Sequence, residues 1–572
     1  MYLKKSTNSK TGRTQLSIVE GYRDQNGISR TRIMKNIGFL DVVEKQYDDP
    51  IAYFTEMAKK MTDEKKASEK PLLLELDRRE TLPVGTDNYR NYGYLAFSKI
   101  YHQLGIHDFW ANRQRMTKAK YNLNGIFRAL VYSRLIEPDS KKGSYESFSR
   151  FFDKTDFSLD DLYRSLSFFK KYQTDLQLWI HEHIRSAYGR DTSLVYYDVT
   201  NYYFEVDRED EIKKRGVCKE HRPNPIIQMG LFMDTNGLPI SYGLFPGNTL
   251  DKQTLMPLMK DVVKNYGLGK VIVVADRGII TGDNISDLLL DHNGYVFSYS
   301  IRSSDKFFKE YVLDETGYRV IGEDGFKIKS RLEPREIWIT QYPSGRKKKV
   351  SVDEKHVVFY SPDFAAKARY ERERAVEKAI SLIKNPGKYT RSTARGAAKY
   401  IKNISFDRST GEVLTAKGTS LELDDALIAE ESKYDGYYAI VTSEYDKTDS
   451  EILDIYRGLW KIEETFKITK SDLETRPIWL SRYEHILAHF MICYTALVIS
   501  RILEYRIGRK YDATSIIESL RKCNCILLDR NTYLFGYYDE VLDVLGKDLG
   551  ITFNRKYRTL KEIKTELAGT KK

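Results

Sequence analysis

The spacing of apolar and polar residues changes several times along this chain, and each change marks a different kind of element. Near the start, apolar and polar residues alternate over residues 14–20 and again over 30–34, which is typical of strands with one buried face. The strong turn signal Asp24-Gln25-Asn26-Gly27 lies between these two stretches. Residues 1–45 are therefore predicted to form a small basic β-hairpin module.

Residues 46–190 follow a helical spacing and are rich in Lys, Arg and Tyr. At the start of one predicted helix, Ser158 is placed to accept hydrogen bonds as a cap. Short helices of this kind can hold a helix-turn-helix reader of DNA, although any compact helical bundle has the same pattern. We predict a helical region that binds DNA ends.

A different pattern begins near residue 191 and predicts a mixed α/β sheet with flanking helices. The run Val271-Ile272-Val273-Val274-Ala275 is wholly apolar, as in a strand that is buried on both faces. The predicted order is β-β-β-α-β-α-β, which is that of a ribonuclease-H-like sheet. Residues 191–302 are predicted to form the first part of this core, with strands at 193–206, 226–233, 238–245, 271–275 and 295–301 and helices at 252–266 and 282–290.

The regular order of strands and helices is then interrupted. Residues 303–435 contain short predicted strands around a charged helix, so they are predicted to be a β-rich insertion. The core is expected to resume over residues 436–510, with a strand, a long helix from about residue 450 and a final apolar helix. Residues 511–572 are predicted to form a C-terminal helical region.

Composition and charge narrow the class of protein. Apolar residues make up 41% of the chain and charged residues 30%, which suits a folded protein. The net charge of +12 favours a polyanionic partner, because Lys and Arg release condensed counterions when they neutralise phosphates; a solvated basic surface is the alternative. No secretory signal is expected, and the four cysteines are predicted to form neither a disulfide framework nor a zinc site. A cytoplasmic protein without a membrane segment is expected.

Three acidic residues lie at positions where a sheet of this kind is expected to form a ligand-binding site. Asp198 lies within the first core strand, Asp276 ends the buried apolar strand, and Glu463 lies in the helix after the insertion. Sites form where the strands of open sheets end, and converging carboxylates repel one another unless a cation lies between them. Mg²⁺ suits hard oxygen ligands, and two such ions can support in-line phosphoryl transfer. No phosphate-binding loop motif is present, so no nucleotide cofactor is expected.

The helix around Glu463 carries further candidate residues. Tyr456, Glu463 and Lys470 are seven residues apart, so they would share one face of a continuous helix. Tyr456 and Lys470 would then flank Glu463, near the path of a DNA backbone. An ordinary amphipathic helix with Trp460 and Phe466 toward the core explains the same pattern.

These residues resemble a known family. The runs Tyr196-Tyr197-Asp198-Val199-Thr200 and Val274-Ala275-Asp276-Arg277-Gly278, with the Tyr456, Glu463 and Lys470 series, are similar to motifs of the DDE transposases of bacterial insertion sequences. The most similar branch has a Tyr-Arg-Glu-Lys signature. The likeness covers roughly residues 190–505 and, more weakly, the N-terminal module.

The resemblance implies a ribonuclease-H-like core and an enzyme that cuts its element out of DNA at terminal inverted repeats and joins the ends to target DNA. It also implies two Mg²⁺ ions, with Mn²⁺ able to substitute, held by Asp198, Asp276 and Glu463. A homodimer acting on double-stranded DNA at the bacterial nucleoid is expected. The candidates for DNA contact are Tyr456, Lys470, Arg277, Arg457, Lys467 and Trp460.

The chain departs from the family signature at one position. The signature Arg, three residues after Tyr456, is Leu459 here, and Arg457 would point about 200° away around a helix. Strand transfer is expected to be weakened unless a residue such as Arg277 supplies the charge. Two other interpretations share these features: a metal nuclease or resolvase without strand transfer, and a non-catalytic DNA-binding protein.

Overall fold

The structure is a computed structural model, and its residues form two compact units, Met1–Thr86 and Asp87–Lys572. It describes residues 1–9, 11–23, 29–67, 79, 81–218, 222–390, 393, 394, 396–407, 412–414, 420–529 and 531–572.

The first unit is a three-stranded antiparallel sheet, in the order β1-β2-β3, packed against helices. Leu16 and Ile18 of β2 are fully buried, together with Phe54 and Ala58 of α2, so one face of the sheet forms the small core. The predicted hairpin strands are confirmed, while the predicted turn at residues 24–27 lies outside the described residues. The elements are β1 (Tyr2–Thr7), β2 (Thr14–Arg23), β3 (Ser29–Phe39), α1 (Leu40–Val43) and α2 (Pro50–Ala67).

The second unit begins with one short strand and a series of helices. The helix α7 starts at the predicted cap, because the Ser158 Oγ accepts from the Asp161 backbone N–H at 3.2 Å and the Asp161 carboxylate accepts from the Ser158 N–H at 3.0 Å. These elements are β4 (Tyr89–Asn91), α3 (Tyr94–Gln103), α4 (Ile106–Gln114), α5 (Leu123–Ile136), α6 (Lys141–Ser147), α7 (Leu159–Phe169) and α8 (Gln173–Tyr188).

The central sheet follows, and its element order matches the prediction. The strand β5 pairs with β6 in antiparallel and with β8 in parallel orientation, and β8 pairs with β9 in parallel orientation. The elements are β5 (Leu194–Tyr203), β6 (Ile226–Asp234), β7 (Pro239–Pro246), α9 (Leu255–Tyr266), β8 (Ile272–Ala275), α10 (Gly282–Leu290) and β9 (Gly294–Tyr299).

The predicted insertion contributes strands to this same sheet. The strand β17 pairs with β9 on one side and with β12 on the other, which gives a nine-stranded sheet in the order β10-β11-β12-β17-β9-β8-β5-β6-β7. The elements are α11 (Lys306–Leu313), β10 (Arg319–Ile321), β11 (Phe326–Gln341), β12 (Arg346–Tyr360), α12 (Pro362–Lys384), β13 (Ile401–Lys402), β14 (Ser405–Phe406), β15 (Val413–Leu414), β16 (Glu422–Leu423), α13 (Asp425–Ser432) and β17 (Tyr437–Thr442).

The C-terminal region, predicted to be helical, contains helices and also short strands. The last part of the chain also supplies three strands, which pair with β4 in a four-stranded sheet in the order β20-β19-β18-β4. These strands are short and depend on a distant partner, so local periodicity does not reveal them. The elements are α14 (Asp449–Arg457), α15 (Trp460–Lys470), α16 (Tyr483–Arg506), α17 (Ala513–Lys522), β18 (Asn524–Asp529), β19 (Thr532–Phe535), α18 (Glu540–Leu549), β20 (Tyr557–Thr559) and α19 (Leu560–Gly569).

Helices cover both faces of the central sheet. One face packs on α9 and α10, and the other packs on a larger core that includes α15 and α16. By length and composition α16 could cross a membrane, but its apolar stretch is entirely buried within the protein. It is therefore the core helix that the sequence predicts, and it supports the sheet from behind.

The long helix predicted from about residue 450 is in fact two helices, separated by a turn at Gly458 and Leu459. Hydrogen bonds in this turn join residues three apart instead of four, as in a 3₁₀ helix. The Leu459 N–H, for example, donates to the Tyr456 carbonyl at 3.1 Å. A Cβ at Gly458 would lie 2.0 Å from the hydroxyl oxygen of Tyr196 in β5. Only glycine therefore lets this turn approach the sheet so closely.

We expect Gly458→Ala to lower the thermal unfolding midpoint and to reduce DNA cleavage, because the added methyl group must push the turn away from Tyr196. Differential scanning fluorimetry and a cleavage assay would measure the two effects. Gly569→Ala is the matched control, since no atom lies within 4 Å of the added Cβ there. Equal behaviour of the two variants would contradict the close-approach argument.

Candidate active site

Two of the three predicted acids lie side by side on adjacent strands, Asp198 within β5 and Asp276 directly after β8. In the parallel pairing of β5 with β8, Tyr196 is opposite Val274 and Tyr197 is opposite Ala275, so the next residues in register are Asp198 and Asp276. Side chains alternate between the faces of a sheet. Both aspartates therefore point toward the face that carries α15 and α16, where Tyr196 and Val274 are also buried.

Hydrogen bonds hold Asp276 in place at the start of the turn after β8. Its Oδ1 accepts from the Arg277 backbone N–H at 2.7 Å and from the Ser298 Oγ at 2.5 Å. The Arg277 N–H also approaches the Ser298 Oγ at 2.9 Å. Asp276 is exposed and Asp198 is half-buried, so the site opens to solvent on the side of β8.

The third acid, Glu463, is exposed in the first turn of α15. Tyr456, at the end of α14, lies close to two of the acids. Burial raises the pKa of its hydroxyl to about 12, and the negative charges of Asp276 and Glu463 add to this rise. A hydrogen bond with Ser298 acts in the opposite direction. Tyr456 stays a neutral donor beside them at physiological pH.

A hydrogen bond of Lys461 and a buried cluster of ion pairs around Arg501 fix the position of α15 on both sides of Glu463. The Lys461 Nζ donates to the Thr235 carbonyl at 2.8 Å, in the turn between β6 and β7. Arg501 of α16 is almost fully buried and contacts Glu464 at 2.8 Å, Glu504 at 2.8 Å and the Gly237 carbonyl at 3.4 Å. The residues that flank Glu463 are thus tied to the sheet and to the core helix.

Two polar residues near the acids were missed by sequence reasoning. Ser298 of β9 is opposite Asp276 when the pairing of Ala275 with Phe297 is extended by one residue, and aligning the predicted parallel strands would have found it. Asp251 lies in the loop after β7, where a Cβ at Gly278 would be 3.9 Å from its Oδ2. No periodic pattern marks that loop.

The carboxylates lie near one another but do not form a complete set of metal ligands. Among the residues that the structure describes, no group of three or more His, Cys, Asp or Glu side chains is arranged to hold a metal ion. Negative charge is nevertheless concentrated here. Burial raises the pKa of the Tyr197 hydroxyl, and the negative charges of Asp198 and Asp251 raise it further. Such a cluster is stabilised when a cation binds.

The predicted DNA-contact residues differ in their exposure to solvent. Exposed side chains near the acids are those of Arg277, Trp460 and Lys467, while Lys470 is half-buried, with its Nζ 6.0 Å from the centre of the Tyr202 ring. Arg457 is exposed on α14 but pairs with Asp454 at 3.6 Å. The buried residue Leu459, only 9% exposed, belongs to the core.

Comparison with known families gives the class of this protein. A family model described as the transposase DDE domain matches residues 203–499, which is more than half of the chain. The chain belongs to the DDE transposases, enzymes that cleave DNA and transfer its strands. Asp276 and Glu463 lie within the matched range, while Asp198 precedes it.

A second match narrows the class. The N-terminal domain of the IS1634 family of transposases matches residues 3–71, so the chain is a DDE transposase of a bacterial insertion sequence. Membership of this class implies a requirement for a divalent metal ion. No curated protein matches the sequence.

Solved structures of transposases also resemble the fold, though weakly. The piggyBac transposase synaptic complex with hairpin DNA has 9% sequence identity and a TM-score of 0.37, covering 84% of this chain and 85% of that one. The Mos1 transposase paired-end complex has 14% identity and a TM-score of 0.13, covering 31% of this chain and 58% of that one. Scores this low carry no weight, and the assignment rests on the family matches.

Arg501→Ala should destabilise the second unit by about 3–5 kcal/mol, because it leaves the buried carboxylate of Glu504 unpaired. All five tryptophans lie in this unit, so tryptophan fluorescence during urea unfolding reports on it. Arg164→Ala is the control, since Arg164 and Asp160 form an exposed pair at 3.8 Å that contributes little. A midpoint for Arg501→Ala that matches this control would show that the cluster does not stabilise α15.

Proposed function

We propose that this transposase cuts an insertion sequence at its terminal inverted repeats and joins the ends to target DNA, using a ribonuclease-H-like core. Support comes from the strand order β7-β6-β5-β8-β9, in which β7, β6 and β5 pair in antiparallel orientation and β8 and β9 continue the sheet parallel to β5. The observation that carries the proposal is the β5–β8 register, which brings Asp198 beside Asp276 on the face that carries Glu463.

Asp198, Asp276 and Glu463 would hold two Mg²⁺ ions, with Mn²⁺ able to substitute. The donor set suits these ions, because all three ligands are carboxylates with access to water. Bound there, the ions would activate the attacking hydroxyl group and stabilise the leaving oxygen. Ser298 and the Arg277 N–H hold one oxygen of Asp276, leaving its second oxygen for a ligand bond.

The exposed face of α15 would guide the DNA strand to these acids. Glu463, Lys467 and Lys470 are three or four residues apart, so they form one stripe along the helix. The two lysines place positive charge next to the acid that would bind metal, and Trp460, half exposed, offers a ring for stacking on a base. Double-stranded DNA, bound by a homodimer in the cytoplasm at the nucleoid, is the partner that this surface suits.

Leucine stands at position 459, where the family signature has arginine, so a positive charge for DNA must come from another residue. Leu459 packs in the core, so its position cannot supply a charge to DNA. Arg457 pairs with Asp454 and its guanidinium lies 5.8 Å from the centre of the Phe326 ring. Arg277, exposed directly after Asp276, is better placed to provide a positive charge for a DNA phosphate.

Asp198→Asn, Asp276→Asn and Glu463→Gln should each slow Mg²⁺-dependent cleavage of end-containing DNA by about a hundredfold to a thousandfold, since each removes a metal ligand. Gel assays of cleavage and of strand joining would measure this, and joining would separate a transposase from a nuclease. Asp287→Asn is the control, because Asp287 is a partly exposed residue of α10 that pairs with Lys260 at 3.3 Å. Nicking that persists in Asp276→Asn would refute the metal site.

DNA binding should weaken steeply with salt. If six to ten phosphates are contacted, the affinity should fall by about 10³- to 10⁵-fold between 50 and 200 mM salt, because counterions are released on binding. Fluorescence anisotropy of a labelled end duplex would give the slope, and Lys467→Ala should lower the slope by about one phosphate contact. A flat salt response would contradict a phosphate-dominated interface.

A further inference from the structure

A cavity of about 120 Å³ lies beside the end of β5, away from the three acids. Its lining includes Arg134 of α5, Lys141 of α6, Arg476 of the segment after α15, and His489 of α16. A water molecule needs roughly 10–15 Å³ of such space. The cavity can therefore hold a tetrahedral anion with accompanying water.

Two of the cations that line this cavity, Arg134 and Lys141, are buried. Arg134 and Lys141 are about 5% and 4% exposed, and among the described residues neither forms an ion pair. The polar contact of the Lys141 Nζ is the His489 Nδ1 at 3.4 Å. Arg134 donates to three backbone carbonyls, but its Nε has no partner.

Among the described residues, the nearest acids form no ion pair with Arg134 or Lys141. Asp139 and Glu474 also line the cavity, but both are exposed to solvent. The Asp139 carboxylate instead accepts from the Ser140 N–H at the start of α6. Burying a cation without a counter-charge costs free energy, so an anion that pairs with it in the cavity would bind strongly.

The cavity is connected to the active site along β5. Phe204, just beyond the end of β5, pairs in parallel with Ile478, and the Ile478 N–H donates to the Tyr203 carbonyl at 3.1 Å. Asp198 is six residues earlier, about 20 Å at roughly 3.3 Å per residue. Lys470, over the Tyr202 ring, lies between the two places.

We propose that this cavity binds a backbone phosphate of the DNA, a few nucleotides from the bond that is cut, with Lys141 as the central contact. The inference rests on the proposed function, because it takes the DNA strand to run from Glu463 along Lys467 and Lys470. Trp479, 68% exposed at the rim, would cover the adjoining nucleotide. None of these residues is needed as a metal ligand.

Single neutral linkages in the DNA test this proposal directly. Equilibrium binding of an end duplex would be measured without divalent metal, with a methylphosphonate replacing one phosphate at a time. The native protein should lose about 10- to 100-fold in affinity at one position near the cleavage site, the range for a hydrogen bond between charged groups. Lys141→Met should bind the unmodified duplex correspondingly less tightly and show no further loss at that position.

Lys142→Met is the matched control, because Lys142 is exposed on the same helix and pairs with Glu146 at 3.9 Å. It should keep the native profile. Replacing a buried cation by an apolar side chain of similar volume is usually tolerated, and Lys141→Gln provides a second variant if Lys141→Met unfolds. A Lys141 variant that is folded and has the native profile overturns the proposal. If the native protein shows the loss at one phosphate position but Asp276→Asn still cleaves DNA, the metal site fails and the phosphate site stands.

Sulfate provides a test that needs neither DNA nor metal. Burial, with the nearby charge of Arg134, lowers the pKa of Lys141 to about 7, while the charge of Cys493 opposes this. His489 remains neutral, since burial with Lys141 and Arg134 lowers its pKa. Because Lys141 loses its proton above about pH 7, anion binding should weaken as the pH rises past that value.

At constant ionic strength, replacing chloride by sulfate should raise the thermal unfolding midpoint of the native protein more at pH 6 than at pH 8.5. Lys141→Met should lose this specific shift, and Lys141→Arg, which stays protonated, should show it at both pH values. An equal sulfate shift in the native protein and in Lys141→Met would overturn the inference, whatever the outcome of the cleavage assays.

Discussion

The parallel pairing of β5 with β8 sets the position of every other part of the active site. Two aspartates from distant parts of the chain become neighbours because their strands pair in this register. The same pairing brings β9 alongside, so that Ser298 can hold Asp276. Like charges this close together repel, and the site is therefore built to receive cations. A shift of one residue in β8 would turn Asp276 to the opposite face.

The helix that carries Glu463 depends on a different kind of interaction. Lys461, Glu464 and Arg501 join α15 to the turn between β6 and β7 and to the buried helix α16. Burying Arg501 is costly, and this cost is offset only because two carboxylates and a carbonyl surround it. The result is a geometric constraint: the backbone on both sides of Glu463 cannot move away from the sheet without exposing or unpairing charge.

Charge is arranged differently along β5. Acids gather around Asp198, in the middle of the strand, while the buried side chains of Arg134 and Lys141 line the cavity beyond Phe204. Lys467, exposed on α15, and Lys470, half-buried on the same helix, lie between these regions. A DNA strand, with its regular spacing of phosphates, suits this arrangement of charge. Lysine and arginine side chains would neutralise the phosphates near the cavity, and metal ions bound by the acids would neutralise those near Asp198.

Much of the chain could be understood from local patterns. The apolar run 271–275, the alternation in the N-terminal module and the cap at Ser158 each report how one element is buried or begins, which depends on residues close in sequence. The order of the core elements and the three acids followed from such signals. Other features depend on residues far apart. The break at Gly458 exists because Tyr196 occupies the space of a side chain, and the C-terminal strands exist because β4 pairs with them. The cavity at Lys141 forms only where α5, α6 and α16 meet the segment after α15. Periodicity records the environment of a single element, whereas contacts between elements arise only when the whole chain has folded.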